Sequence, residues 1–319
     1  MSSSKRREQK KRPDFRAAPR AVRRVFLARD GGLRAPWRLA LAVLAYIAWT
    51  NGIAALLSYA FDALFTAWGV TTLNVGYAPG YARFLAANYG NVISLVSSAG
   101  VAALSYLAAP ARERLRFRAK LFGIGALAGF SVAAVAAMGF LALDSVRMTS
   151  ASPAFSWPPL ILLPVYLAAA VSEEFFARGY VFRMTASRGN RLLGYLASAL
   201  VFVYVTGGYA LGALGIVNLL LFSILLCALS ERWPNWLNVG VRFGWGYAVT
   251  CLFAFPGASG GSPVLTLYSV SEEWLTGGSG GLISGVYMTA VLMAAVWLLV
   301  LRSVKFRLRI PRRPSKGRA

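Results

Sequence analysis

Ala169-Ala-Val-Ser-Glu-Glu-Phe-Phe-Ala-Arg-Gly179 places two adjacent carboxylates and an arginine inside an otherwise apolar segment of helical length. Ionisable groups in such a segment are costly, and where the segment crosses a membrane they mark a functional site by default. Its surroundings decide that question. The chain has 319 residues, of which 57% are hydrophobic and 14% charged. Repeated apolar runs of about 20 residues match the thickness of a hydrocarbon core at about 1.5 Å rise per residue. The expected fold class is therefore all-α, a polytopic membrane protein.

Eight spans are expected, near 37–61, 92–110, 121–143, 158–180, 192–209, 211–229, 236–256 and 281–302. Residues 1–36 read as a disordered basic cytoplasmic arm with a short amphipathic helix around Arg20 to Leu33, and 303–319 as a basic cytoplasmic tail. The net charge of +23 is concentrated, with thirteen Lys and Arg in residues 5–38 and eight in 302–318. Between the spans it alternates. The connection 110–120 holds Arg112, Arg114, Arg116, Arg118 and Lys120, the one after span four holds Arg183, Arg188 and Arg191, and the one after span six holds Arg232. The intervening connections hold Arg83, Arg147 or no basic residue. Positive charge marks the cytoplasmic side, so both termini are expected there. The basic tails imply a bilayer with anionic lipid as partner rather than nucleic acid. The long outer connection 256–280, with Pro256-Gly-Ala-Ser-Gly-Gly-Ser-Pro263 and Thr276-Gly-Gly-Ser-Gly-Gly281, reads as a loose loop or as a cap on a cavity.

Histidine is absent from the chain. This excludes histidine-based metal sites, Ser-His and Cys-His triads and imidazole bases. The cysteines, Cys227 and Cys251, lie in apolar segments and read as small buried hydrophobes. Trp37, Trp157, Trp233, Trp236 and Trp274 fall near expected interfaces and read as anchors. Gly125-x-x-x-Gly129, Gly208-x-x-x-Gly212, Gly240-x-x-x-Gly244 and Gly281-x-x-x-Gly285 are spacings that let helices approach closely.

Glu174 and Arg178 are four apart, on one helix face and in the favourable order for a pair. Glu173 is rotated by about 100° and points elsewhere. A buried carboxylate there is either a general base toward water or part of an ion network that locks helices together.

Ser172-Glu-Glu-Phe-Phe-Ala-Arg-Gly-Tyr180 resembles the first motif of the CPBP family, which includes type II CAAX prenyl endopeptidases and the bacteriocin-processing and immunity-type Abi proteins. Ser198-Ala-Leu-Val-Phe-Val-Tyr-Val-Thr206 falls where that family has an apolar helix ending in histidine. Gly240-Val-Arg-Phe-Gly-Trp-Gly246 is similar to its His-x-x-x-Asn/Asp helix. Phe255-Pro-Gly-Ala-Ser-Gly and Leu275-Thr-Gly-Gly resemble an outer loop of bacterial members. The resemblance extends over about 150–301, within a transmembrane domain of 37–302. It implies an intramembrane endopeptidase of a bacterial plasma membrane, with a metal centre or a glutamate-activated water held by histidines.

This chain departs from that pattern at Thr206 and Arg242, which replace the histidines, and at Gly246, which replaces Asn or Asp. Glu173, Glu174 and Arg178 remain. A hydroxyl does not replace an imidazole, and a guanidinium does not deprotonate in a protein. Arg242 either pairs with Glu173 or snorkels to the cytoplasmic surface. Thr206 either bonds the Phe202 carbonyl or lines a polar cavity. The expected function is a CPBP-like membrane protein with lost or weakened protease activity, a scaffold binding membrane peptides or proteins. No metal or other cofactor is expected. An active endopeptidase with Glu173 as base and a small transporter lined by Glu173, Glu174 and Arg178 are the alternatives.

Overall fold

The computed structural model describes residues 34–71, 74–110, 115–151, 158–186, 191–257 and 264–309. The basic arm, including the helix expected at 20–33, the end of the tail, Trp157, and part of the outer connection lie outside the described residues. The chain divides into two compact units, Met1–Ala45 and Tyr46–Ala319. The site described below lies within the second.

Helices dominate: α1 Ala35–Ala67, α2 Gly80–Ala108, α3 Ala119–Ala142, α4 Pro158–Glu174, α5 Arg191–Val205, α6 Ala213–Arg232 and α7 Trp236–Tyr247. Further along the chain come the short α8 Glu273–Thr276 and the long α9 Val286–Arg309. Each of the eight expected spans falls largely on helix. Among the described residues, five helices are long and apolar enough to cross a membrane: Pro36–Ala67, Gly80–Ala108, Ala119–Ala142, Pro159–Ala186 and Ala213–Arg232. Arg191–Val205 and Val286–Leu298 are shorter apolar helices. The chain is a polytopic helical membrane protein. Large apolar side chains on its outside, such as Leu192, Leu196 and Leu200 along α5, are exposed. In hydrocarbon that exposure carries no penalty, and the helices keep their backbone polar groups internally bonded.

The all-α expectation meets one exception. β1 Val146–Ala151 pairs antiparallel with β2 Leu265–Ser269, with Val146 opposite Ser269, Arg147 opposite Tyr268 and Met148 opposite Leu267. The two connections expected outside the membrane thus share a sheet. Val146 and Leu267 are buried beneath it. The described part of 256–280 is therefore ordered by backbone pairing and is not a loose loop. Alternating Leu265, Leu267 and Ser269 among so many glycines gave too short a period-two signal to read as a strand.

The closest helix crossing joins α3 to α7. A Cβ at Gly125 would meet the Leu237 carbonyl, and one at Gly129 the Val241 carbonyl. From the other side, a Cβ at Gly240 would meet the Phe122 carbonyl, and one at Gly244 the Ala126 carbonyl. Two of the four small-residue spacings in the sequence therefore face each other and bring backbone against backbone. At Gly212 a Cβ meets nothing within 4 Å, so the spacing by itself does not identify a contact.

α7 is delivered to this crossing by a tight turn. α6 ends with Arg232 in its last turn, where a cation favours the helix dipole, and Pro234 prevents continuation. The turn folds α7 back on α6, so that the buried Asn238 amide donates to the Leu226 carbonyl at 2.8 Å and to Ser230 Oγ at 3.1 Å. Trp236 donates its indole N–H to the Leu115 carbonyl at 2.8 Å. The start of α7 is thereby fixed beside the start of α3. The main core gathers Ala133, Phe140, Phe202, Phe222, Leu226 and Trp245 with Leu282, Met288 and Leu292.

Candidate functional site

Glu173 and Glu174 end α4, and the chain continues through a wider π-helical stretch, Phe175–Phe182, that holds Arg178. Such stretches are rare and recur at functional sites. α4 packs between α2 and α7, while the π-helical stretch packs against α2 and α5 and touches α6. Glu173 and Glu174, rotated from each other by about 100° on α4, face different helices.

Glu174 and Arg178 are both fully buried, with Arg178 Nη1 donating to Glu174 Oε1 at 2.9 Å. Arg178 Nη2 reaches across to α6 and donates to Ser223 Oγ at 2.8 Å. Glu174 Oε2 and Arg178 Nε have no hydrogen-bond partner among the described residues. The Arg178 guanidinium lies over the Phe202 ring, 4.1 Å from its centroid.

Glu173 faces α7. Arg242 donates to Glu173 Oε2 through both Nε, at 2.8 Å, and Nη2. The side chains are 15% and 14% exposed, so Arg242 does not snorkel to the surface; it is held inside by the carboxylate. Its guanidinium also lies near Phe202, 5.1 Å from the centroid, and 5.8 Å from that of Phe222. Phe202 is therefore shared by both arginines. Two carboxylates and two guanidiniums sum to zero charge, which is how ionic groups are tolerated in a low-dielectric interior.

Thr206 sits just past the end of α5, where Gly207 at φ +70° turns the chain away. Its hydroxyl donates to the Phe202 carbonyl at 2.8 Å. It is spent within its own helix and contacts neither ion pair through a hydrogen bond among the described residues. At Gly246 a Cβ would meet the Tyr166 ring at 3.4 Å. Tyr166 precedes Glu173 by about two turns on the same face of α4, so its ring stands where a longer side chain at 246 would project. Of the six positions singled out from the sequence, the structure joins Glu173 to Arg242 and Glu174 to Arg178, and leaves Thr206 and Gly246 aside.

Several participants escaped sequence reading. Ser223 completes the Arg178 site, Asn235 donates its amide toward the Glu174 carbonyl at 3.4 Å, and Ser198 donates to the Ala177 carbonyl at 3.0 Å. Cys227 Sγ donates to Ser198 Oγ at 3.3 Å. A signal was present: Ser223, Cys227 and Ser230 fall at i, i+4 and i+7 and form a polar stripe on an otherwise apolar helix.

Residues 155–248 match the family model described as type II CAAX prenyl endopeptidase Rce1-like. The match covers less than half of the chain, and it contains all three stretches that carry the resemblance, at 172–180, 198–206 and 240–246. No curated protein and no solved structure matches the chain.

Within the matched residues the donor set does not fit a metal ion. Each carboxylate carries an arginine, Thr206 is bonded to its own helix, and Gly246 has no donor atom. The cation Arg242 occupies the approach to Glu173 from α7. What this arrangement can do is hold four helices in register around a neutral ionic cluster. It leaves one partly exposed pair, Glu173–Arg242, accessible for polar contact with something arriving from outside.

Proposed function

We propose that this Rce1-like membrane protein binds a membrane-associated peptide or protein without cleaving it at an appreciable rate. One observation carries this reading: Arg242 donates twice to the oxygen Oε2 of Glu173. A general base needs a carboxylate oxygen free to take a proton from water and a partner to pass it on. Here one of the two oxygens, Oε2, takes both bonds from a group that stays charged and cannot relay a proton, so the carboxylate is held by the pair rather than poised toward water. The other carboxylate is fully buried against Arg178. Catalytic sets act as units, and loss of members leaves little activity. In this reading the protein lies in a cell membrane with both termini in the cytoplasm, and the four-helix ionic cluster serves as a rigid frame for a binding surface.

Retained proteolysis is the second reading, favoured by the partial exposure of Glu173 and Arg242. A substrate group that drew Arg242 away would free the carboxylate. The deciding experiment incubates the purified full chain in lipid vesicles with membrane-anchored peptides, beside the Glu173→Gln variant. Peptide that is retained uncleaved by both proteins supports the binding role. Cleavage by the parent chain that disappears in Glu173→Gln refutes it.

A further inference from the structure

A half-open cavity of about 430 Å³ lies where α1 ends and α2 begins. Small-molecule sites typically enclose about 300–1,000 Å³. Asp62, Phe65 and Thr66 of α1, Thr71 and Val75 of the connection, and Tyr89 of α2 line it. About 24 Å of helix separates Asp62 from Tyr46, the α1 residue whose ring stacks on Phe176 of the π-helical stretch. The cavity is therefore remote from both ion pairs.

Hydrogen bonds build its wall on the connection side. The Phe65 carbonyl accepts from the Val70 N–H at 2.8 Å, and the Thr71 carbonyl from the Val75 N–H at 2.9 Å. Asn74 Oδ1 accepts from the Thr71 N–H at 2.6 Å, while the Asn74 amide donates to the Gly69 carbonyl at 2.8 Å. Thr71 and Val75 are thereby fixed beside the end of α1. Across from them, the Phe65 and Tyr89 rings stand at 84° to one another with centroids 6.1 Å apart, so they form a corner and not a parallel stack. Trp68 supports Phe65 at 6.3 Å, and Phe61 supports Tyr89 at 5.9 Å.

Into this aromatic corner the helix brings a carboxylate. The Asp62 side chain takes no ion pair among the described residues. Arg83, the only basic residue in 62–91, turns instead to the Gly76 carbonyl, 3.5 Å away. The Thr66 hydroxyl donates to the Asp62 carbonyl at 2.8 Å and keeps its lone pairs as acceptors. A lone carboxylate beside aromatic rings is the donor set that attracts an organic cation. It does not suit a hard metal ion, which takes about six or more oxygen ligands.

We infer that this cavity binds a small organic ammonium ion, with Asp62 supplying the countercharge and Phe65 and Tyr89 the aromatic walls. A methylated ammonium fits best, because its methyl groups lie against apolar walls while its charge is shared with the carboxylate and the rings. The site is independent of Glu173 and of the binding role proposed above.

The full chain, purified in a neutral detergent, is titrated with choline and with its uncharged tert-butyl isostere, dimethylbutanol, by isothermal titration calorimetry. Choline is expected to bind at least about tenfold more tightly than the isostere. Asp62→Asn is expected to weaken choline binding about fivefold or more, and Phe65→Leu about threefold. Thermal unfolding checks that each variant is folded, and two variants on different walls keep the test open if one is not. Equal binding of choline and isostere overturns the inference. So does absence of choline binding, or choline binding unchanged in the folded variants. Repeating the titration with dioleoyl phosphatidylcholine in the micelle identifies the source of the ammonium. Loss of choline binding supports a lipid headgroup in the site, and unchanged binding supports a free ammonium.

Discussion

Replacing Arg178 with alanine would strand Glu174. That carboxylate is fully buried, and Arg178 supplies its hydrogen bond at 2.9 Å. Removing one member of a buried pair typically costs about 3–5 kcal/mol, because the remaining charge is left uncompensated. Two further losses point the same way: Ser223 Oγ loses its donor, and Phe202 loses the cation 4.1 Å from its centroid. One effect opposes them, since Arg242 also interacts electrostatically with Glu174. The lower part of the range is therefore expected, about 3–4 kcal/mol, or a fall in Tm of about 6–16 °C for a chain of this size. Glu174→Leu combined with Arg178→Met removes both charges while keeping apolar volume, and buried pairs replaced in this way are often neutral or better. Thermal unfolding in detergent, followed by tryptophan fluorescence, measures both variants. A double variant that loses as much as Arg178→Ala would place the cost in shape and not in stranded charge.

Gly240→Leu would place a side chain on the Phe122 carbonyl and force α3 from α7, so loss of folded protein by size-exclusion chromatography is expected, whereas Gly212→Ala, which meets open space, leaves yield unchanged. Thr206→Val removes only a bond to its own helix and should shift stability by less than about 1 kcal/mol, measured by the same thermal assay. At the sheet, the Arg147 guanidinium holds the exposed Asp144 carboxyl below its usual range. A depressed carboxyl contributes stability only above its unfolded value and loses that contribution as pH falls through the folded one. Because this pair is exposed, carboxyl NMR is expected to show Asp144 returning to the ordinary range in Arg147→Gln with no measurable change in Tm.

The local parts of the fold and site were legible, and the long-range parts were not. Apolar runs of membrane length marked the helices, because a bilayer forces hydrophobicity and helical bonding together. Glu174 and Arg178 could be placed on one face by spacing alone. The partner of Glu173 could not, since 69 residues separate it from Arg242 and two outcomes were open. The structure closes that pair in place of surface snorkelling. Phe202 gave no sign of its part in the site, because an aromatic residue within an apolar helix looks the same whether it meets lipid or two guanidiniums. The β1–β2 sheet depends on pairing two distant loops, and neither strand carries enough pattern to announce itself.

Arg242 commits Glu173 to an ion pair across α4 and α7. A double-mutant cycle in Tm, using Arg242→Ala, Glu173→Gln and both together in detergent, measures that commitment. Arg242→Ala is expected to destabilise the protein, and adding Glu173→Gln to recover part of the loss, because the second change removes the carboxylate left unpaired. Losses that simply add would contradict the pair and return Glu173 to the position of an unengaged carboxylate.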